Sequence, residues 1–84
     1  MNNWSVYILE CSDKTYYTGI TNNIEKRLKT HQNGHGARYT YGRLPVKMVY
    51  SRTGLTESCA RKEEMRIKKL TRQDKEKLIY GEVA

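Results

Sequence analysis

The stretch over residues 4–31 constrains the possible folds of this chain more than any other part of its sequence. Residues 4–11 alternate in character and are rich in strand-forming side chains, and residues 15–20 are similar. The Ser-Asp-Lys segment at residues 12–14 separates the two runs and is typical of a turn. The sequence therefore predicts a β-hairpin at the start of the chain.

The length of this turn decides which side chains share a face of the hairpin. A three-residue loop pairs Leu9 with Tyr17 and Tyr7 with Gly19, and directly paired residues point to the same side. Tyr7 and Tyr17 then lie on one face, whereas a two-residue loop would place them on opposite faces. Gly19 lacks a side chain opposite Tyr7, so backbone or substrate can come close there.

A helix is predicted directly after the hairpin. Residues 21–23, Thr-Asn-Asn, form a cluster of capping residues, and residues 24–32 have an apolar seam at helical spacing. Arg27 and His31 are four residues apart, so they share one side of this helix at the edge of the seam.

The second half of the chain adds one strand and two helices. The predicted segments are a connection over residues 33–45, a strand over 46–51 that breaks at Thr53-Gly54, a helix over 57–69 capped by Thr56, and a short helix from the capping residue Thr71 to Gly81. We therefore expect a single α+β domain over residues 1–84. Its small three-stranded, largely antiparallel sheet is flanked by helices in the order ββαβαα.

The chain is strongly basic, with a formal net charge of +7 and a pI near 9.6. Between residues 61 and 77, eight lysines or arginines stand against four acidic residues, a net charge of +4. A small basic domain most often binds an anionic polymer, and nucleic acid is the usual one. The alternative is a charged surface that serves solubility alone.

The connection over residues 33–45 interleaves basic and aromatic side chains. Such a loop suits nucleic acid, because charges contact phosphates and rings stack on bases. The alternative is that its tyrosines cover the core. The candidate nucleic-acid-binding residues, including two from the basic stretch, are Arg38, Tyr39, Tyr41, Arg43, Lys68 and Lys69.

Cysteine usage and hydropathy indicate a reduced, cytoplasmic protein. Cys11 and Cys59 lie far apart and form no C-x-x-C pair, and together with His31 and His35 they match no zinc spacing. No apolar run approaches the ~20 residues of a membrane span, and the N-terminus lacks the pattern of a signal peptide. We therefore expect no membrane partner.

Several side chains of the chain suit phosphodiester hydrolysis. A metal ion held by one carboxylate can neutralise charge at phosphorus and assist the departing oxygen, and an arginine can grip the phosphate through two hydrogen bonds. A tyrosine can accept the proton of the attacking water if its pKa falls well below ~10, as a nearby cation could achieve. The candidates are Tyr7, Tyr17, Arg27, His31 and Glu64, whose carboxylate shares a helical face with apolar neighbours.

Together these residues resemble the catalytic core of the GIY-YIG nuclease superfamily, and the match looks closest to its small standalone bacterial members. Val6-Tyr7-Ile8 stands in place of the Gly-Ile-Tyr motif, and Tyr17-Thr18-Gly19 in place of Tyr-Ile-Gly. The pattern of the small members lies between Gly36 and Pro45. The family acid, about 47 residues after the second tyrosine, falls on Glu64, with Glu63 as the alternative.

This resemblance implies a metal-dependent endonuclease that acts on DNA with Mg²⁺ or Mn²⁺. Tyr7 would help to activate water beside Tyr17, Arg27 would bind the scissile phosphate, His31 would assist proton transfer, and Glu64 would hold the metal ion. The rival functions are a non-catalytic module that binds DNA or RNA through the same fold, and an adaptor for a protein partner. The sequence predicts no helix that is free to contact base edges and no separate domain for recognising a DNA site. We therefore expect little sequence specificity and a bias towards structured or single-stranded substrates.

Overall fold

A computed structural model of the protein describes residues 2–81. Three strands and four helices follow one another along this part of the chain. They are β1 (Trp4–Glu10), β2 (Tyr16–Thr21), α1 (Ile24–Gln32), α2 (Arg38–Tyr41), β3 (Lys47–Leu55), α3 (Glu57–Lys68) and α4 (Arg72–Tyr80). The α+β class and the order ββαβαα are confirmed, with the single-turn helix α2 as an addition inside the predicted connection. None of the helices described is long and apolar enough to cross a membrane.

The strands form one antiparallel sheet in the order β2-β1-β3, so β1 lies in the centre. In the hairpin, Leu9 pairs with Tyr17 and Tyr7 pairs with Gly19. The Cys11 amide donates a hydrogen bond of 2.8 Å to the Thr15 carbonyl, which closes the three-residue turn. The predicted register is confirmed, and it places the two tyrosines on the same face of the sheet.

Each face of the sheet carries its own apolar cluster, because alternate residues of β1 point to opposite sides. On one face the buried residues are Tyr7, Leu9, Cys11 and Val46, packed against side chains of α1 such as Ile24 and Leu28. On the other face the buried residues are Val6, Ile8 and Ile67, packed against side chains that include Leu78 and Ile79 of α4. The sheet is therefore sandwiched between α1 and the pair α3 and α4.

The predicted end of the third strand at Ser51, with a break at Thr53-Gly54, is wrong, since β3 continues to Leu55. Trp4 pairs with Leu55 while Val6 pairs with Arg52, so β3 accommodates an extra residue in this interval. Gly54 has a φ of +76°, a conformation that glycine adopts without strain. The glycine thus allows a bulge within the strand instead of ending it.

The N-termini of α1, α3 and α4 are fixed by side-chain caps, as their sequences predict, whereas α2 has no side-chain cap. The side chains of Asn23, Thr56 and Thr71 accept hydrogen bonds from the backbone amides of the third residue after each of them. Gln32 at the end of α1 is exposed, and its side-chain amide bonds to both backbone groups of Val46. This contact ties the end of α1 to the residue that precedes β3.

Candidate active site

The centre of the site is the side chain of Tyr7, which is buried in the middle of the central strand with 1% of its surface exposed. Its hydroxyl lies 2.9 Å from Nε2 of His31. The two residues belong to different elements, β1 and α1, and the hairpin register together with the docking of α1 brings them together. The pairing joins two residues that the sequence singled out separately.

His31 sits near the C-terminus of α1 and is fully buried. Its Nδ1 lies 2.8 Å from Oγ1 of Thr40, a residue of α2 that is also fully buried. Gly36 backs the imidazole ring, because a Cβ atom at this position would come 2.6 Å from Cγ of His31. The ring is therefore held by partners at both nitrogens and by the glycine backbone at its flank.

Tyr17 completes an aromatic cluster with Tyr7 and His31. Its ring centroid lies 6.4 Å from that of Tyr7 and 5.3 Å from that of His31, and the side chain is only half-buried. A Cβ atom on Gly19 would come 2.7 Å from the Tyr7 hydroxyl oxygen and 3.0 Å from Cε2 of Tyr17. The space opposite Tyr7 is thus filled by the tyrosine ring itself, which gives Gly19 a packing role.

The electrostatics of the cluster depend on burial and on Arg27, a half-buried residue of α1. Burial raises the pKa of Tyr7, and this effect outweighs the opposing influence of Arg27. The pKa of Arg27 is raised, chiefly by its interaction with the Tyr7 hydroxyl. Burial and then the Arg27 charge lower the pKa of His31 to about 4. At neutral pH the pair therefore consists of a protonated tyrosine and an uncharged imidazole, so a lowered pKa for Tyr7 is not what this structure provides.

The stability of the fold is expected to decrease as the pH falls from 6.5 to 4. In this window the unfolded chain protonates His31, while the folded chain keeps it neutral among Tyr7, Tyr17 and the Arg27 charge. The shift corresponds to a loss of about 2–3 kcal/mol at pH 4 relative to pH 7. Urea unfolding of the wild type and of His31→Gln across this range checks the prediction. The difference between the two proteins in the free energy of unfolding separates the effect of His31 from that of the carboxylates. A difference that stays constant from pH 7 to pH 4 would contradict the prediction.

Gly36→Ala is expected to destabilise the fold, because the added methyl group meets the His31 ring, which is itself fixed. We expect a loss of about 1–3 kcal/mol in the free energy of unfolding, the usual cost of overpacking a core. Gly42→Ala is the matched control, since a Cβ there meets no atom within 4 Å and its φ is −93°. Equal stabilities for the two variants would show that the ring tolerates displacement.

Glu64 and Glu63 differ clearly in their surroundings, although they are adjacent on α3. Glu63 binds Arg66 at 2.8 Å and Arg52 at 3.5 Å, and the hydrogen bonds from Arg66 are the first cause of its lowered pKa. Glu64 is 22% exposed and lies 3.3 Å from the ammonium group of Lys68. Its charge acts on the Tyr7 hydroxyl, where it is one of the influences that raise the pKa. Of the two glutamates, Glu64 is thus the one whose charge acts on the tyrosine–histidine pair.

The donor set at Glu64 fits a hard divalent cation. Such ions prefer carboxylate oxygens, and Mg²⁺ commonly keeps several waters beside one or two carboxylates. Within residues 2–81, no group of three or more His, Cys, Asp or Glu side chains could hold a metal together. Cys11 is buried and Cys59 is exposed, and both are free thiols. At Glu64 an ion would therefore be held by fewer than three such protein ligands, with water completing its coordination.

The candidate nucleic-acid-binding residues fall into two groups. Arg43 forms an ion pair of 3.0 Å with Asp13, and its guanidinium lies 4.1 Å from the ring centroid of Tyr39. Tyr39 in turn stacks on Tyr17 with the ring centroids 6.1 Å apart. These contacts hold the segment that contains α2 against the hairpin, so Tyr39 acts as a cover over the site. The remaining members of the set, Arg38, Tyr41, Lys68 and Lys69, are exposed, as is Tyr39 at 38%, and Lys68 is paired with Glu64.

Comparison with known proteins identifies the family. The sequence model of the GIY-YIG catalytic domain matches residues 3–77. The chain belongs to the GIY-YIG nuclease family. A relative from Clostridium perfringens, named only as a UPF0213 protein, is 55% identical over 74 residues, which cover 88% of this chain and 80% of the relative. A UPF0213 protein from the archaeon Natronomonas pharaonis is 46% identical over 77 residues, covering 92% and 91% of the two chains.

Two solution NMR structures share the GIY-YIG fold of this chain. The UPF0213 protein of Bacillus halodurans has a TM-score of 0.61 and 41% identity, and the alignment covers 95% of this chain and 84% of that one. A protein of E. faecalis has a TM-score of 0.63 and 40% identity, covering 96% and 90%. The recognition of the GIY-YIG family from the sequence, with a match to its small members, is thus confirmed.

Sequence reasoning missed two residues of this GIY-YIG site, Thr40 and Gly36. Both lie in the segment that carries the pattern of the small members, but the sequence alone indicates no role for either. A threonine in a connection usually faces solvent, and nothing in its sequence spacing indicates contact with a histidine nine residues earlier. The pattern from Gly36 to Pro45 was the available signal, and the structure gives it a physical meaning at the His31 ring.

Proposed function

We propose that this GIY-YIG protein is a metal-dependent endonuclease that hydrolyses phosphodiester bonds in DNA. The observation that carries the proposal is the buried hydrogen bond of 2.9 Å between the Tyr7 hydroxyl and Nε2 of His31, with the Arg27 side chain beside it. A neutral imidazole next to a phenol, close to a cation that suits phosphate, is an arrangement for moving a proton at an anionic substrate.

In this proposal Arg27 binds the scissile phosphate through two hydrogen bonds, which its planar guanidinium suits. The attacking water transfers a proton to the Tyr7 oxygen while the Tyr7 proton passes to Nε2 of His31. This transfer requires no free phenolate, which agrees with the raised pKa of Tyr7 and the neutral state of His31 at pH 7. Tyr17 lies beside the pair, is less buried, and packs along the path of the substrate backbone.

Glu64 would hold the Mg²⁺ or Mn²⁺ ion, which supplies neutralisation of charge on the phosphate and on the departing oxygen. Before an ion binds, the ammonium group of Lys68 neutralises the Glu64 carboxylate. Glu63 is already engaged by two arginines, which supports the assignment of the metal to Glu64.

For the substrate we propose DNA with single-stranded or branched character. Tyr41 is 70% exposed and offers a ring on which an unpaired base can stack, while Arg38 and Lys69 are exposed cations for the backbone. The tyrosine–histidine pair and Arg27 orient α1 towards the sheet, and α3 packs on the opposite face. Little surface is left for reading base edges in a groove, so weak sequence preference follows.

Binding to DNA is therefore expected to depend steeply on salt and weakly on sequence. Affinity for a single-stranded oligonucleotide should fall by about tenfold or more between 50 and 200 mM salt if three or more phosphates are contacted. A competition assay with scrambled duplexes, a single strand and a branched substrate across a salt series measures both properties. Strong discrimination among plain duplexes that persists at high salt would contradict the prediction.

The proposed reaction is tested by a cleavage assay on single-stranded, nicked, branched and duplex DNA with Mg²⁺, with Mn²⁺ and with EDTA. The wild type should cut in a metal-dependent manner, and Tyr7→Phe, which removes only a hydroxyl, should be slower by about 100-fold. If every form binds DNA and none cuts any substrate with either metal, the non-catalytic binding module is the better account. Equal cutting by wild type and Tyr7→Phe would contradict the role of the Tyr7 hydroxyl in the reaction.

A further inference from the structure

Thr40 has a buried hydroxyl group, and the proposed reaction gives this residue no role. It lies in the single-turn helix α2 and has no exposed surface. Its Oγ1 makes two contacts, one of 3.0 Å to the carbonyl oxygen of Ala37 and one of 2.8 Å to Nδ1 of His31. The segment thus reaches His31 from the side opposite to Tyr7, and the imidazole is bonded at both of its nitrogens.

The donors and acceptors of this hydrogen-bond network determine which atom carries each hydrogen. The carbonyl of Ala37 can only accept, so the Thr40 hydroxyl is the donor in their contact, beside the Thr40 amide, which donates to the same carbonyl at 3.1 Å. Oγ1 of Thr40 must then accept from His31, which places a hydrogen on Nδ1. A neutral imidazole carries one hydrogen, so Nε2 is unprotonated and accepts from the Tyr7 hydroxyl. Every group in the chain is satisfied by this assignment.

We propose that Thr40 is a positioning residue that holds His31 in the Nδ1–H tautomer, with the Nε2 lone pair directed at the Tyr7 proton. The inference rests on the proposed function for its purpose, since the tautomer matters only if the Tyr7 proton moves to His31. In the opposite tautomer Nε2 would carry the hydrogen and the Tyr7 hydroxyl would become the acceptor. The histidine could then take no proton from Tyr7, and Tyr7 could take none from water.

The packing around the ring supports this role. Gly36 lies against the imidazole, with the position of a hypothetical Cβ only 2.6 Å from Cγ, so the ring has no room to turn on that side. Gly36 and Thr40 belong to one short segment. Arg43 holds the far end of this segment by donating hydrogen bonds of 2.7 Å to the Tyr39 carbonyl and of 3.0 Å to the Asp13 carboxylate. The segment therefore fixes both the orientation of the ring and the nitrogen that bears the hydrogen.

The test is the tautomer itself, read from the ¹⁵N chemical shifts of the imidazole in long-range ¹H–¹⁵N correlation spectra at pH 7. The chain has two histidines, and His35→Gln identifies the signals of His31. The wild type should show a protonated Nδ1 and an unprotonated Nε2. Thr40→Val, which keeps the shape and loses the acceptor, should raise the population of the Nε2–H form, whereas Thr40→Ser should keep the wild-type pattern.

Thr30→Val is the matched control, because the Thr30 hydroxyl bonds to the Lys26 carbonyl on α1 and not to an imidazole nitrogen. In cleavage, Thr40→Val should lower the rate by about tenfold with DNA affinity unchanged, and Thr40→Ser and Thr30→Val should stay near wild type.

An Nε2–H tautomer in the wild type overturns the proposal, and so does an unchanged tautomer in a folded Thr40→Val. If Thr40→Val does not fold, the wild-type and Thr40→Ser spectra still decide. If the tautomers behave as described and no form cleaves DNA, the proposed function fails while the assignment of Thr40 as the tautomer-setting residue stands.

Discussion

Replacing Glu64 with alanine is expected to reduce metal-dependent cleavage by about 100-fold or more, because the ion that we propose it holds would lower the barrier by several kcal/mol. DNA binding should stay the same or become tighter. The variant removes a negative charge and releases the ammonium group of Lys68, which lies 3.3 Å from the carboxylate in the wild type. Cleavage rate and DNA affinity are measured on the same single-stranded substrate at saturating Mn²⁺.

Glu63→Ala is the control for this variant, since it removes the same charge one residue away. Glu63 bridges Arg52 of β3 and Arg66 of α3, so its loss should affect stability slightly and leave cleavage near the wild-type rate. The reverse outcome, with Glu63→Ala inactive and Glu64→Ala active, would transfer the metal to Glu63. Equal metal affinity in wild type and Glu64→Ala would contradict the assignment directly.

Arg27→Lys is expected to cleave about 10- to 100-fold more slowly than the wild type, although the positive charge is kept. An ammonium cannot form the two parallel hydrogen bonds that a guanidinium makes with phosphate, and such charged hydrogen bonds contribute about 1.5–3 kcal/mol. Arg27→Ala should be slower still. The measurement is the single-turnover rate with protein in excess over DNA.

Lys26→Ala provides the matched control for Arg27→Ala, because it removes one positive charge from the exposed side of the same helix. We expect a modest loss of affinity for Lys26→Ala and an unchanged single-turnover rate. If Arg27→Ala behaves in the same way as Lys26→Ala, Arg27 contributes only to the general charge of the surface.

The parts of the fold that follow from local rules could be predicted from the sequence. The three-residue turn fixes the hairpin register, and with it the shared face of Tyr7 and Tyr17. The four-residue spacing of Arg27 and His31 on a capped helix places both beside that face. The bulge at Gly54 could not be predicted, because a glycine that ends a strand and one that bends it look alike in sequence.

The interior of the site depends on tertiary packing, and here prediction from sequence reached its limit. The complete burial of His31 arises because the segment with Gly36 and Thr40 folds back over the ring, and no local periodicity records this contact. The same burial raises the pKa of Tyr7 and lowers that of His31, which reverses the expectation of an acidified tyrosine. Arg43 and Tyr39, which the sequence predicts to contact nucleic acid, make contacts that hold this segment in place, and their predicted role stays a prediction.

The central claim is that Glu64 and the tyrosine–histidine pair form one metal-dependent site. It is tested most directly by adding substoichiometric Mn²⁺ to the ¹⁵N-labelled protein and following the paramagnetic loss of amide signals. We predict that the loss is greatest around Glu64, extends to the residues of β1 and β2 near Tyr7 and Tyr17, and disappears in Glu64→Ala. Signal loss centred on another acidic side chain, such as Asp74 of α4, or loss that persists in Glu64→Ala, would contradict the account.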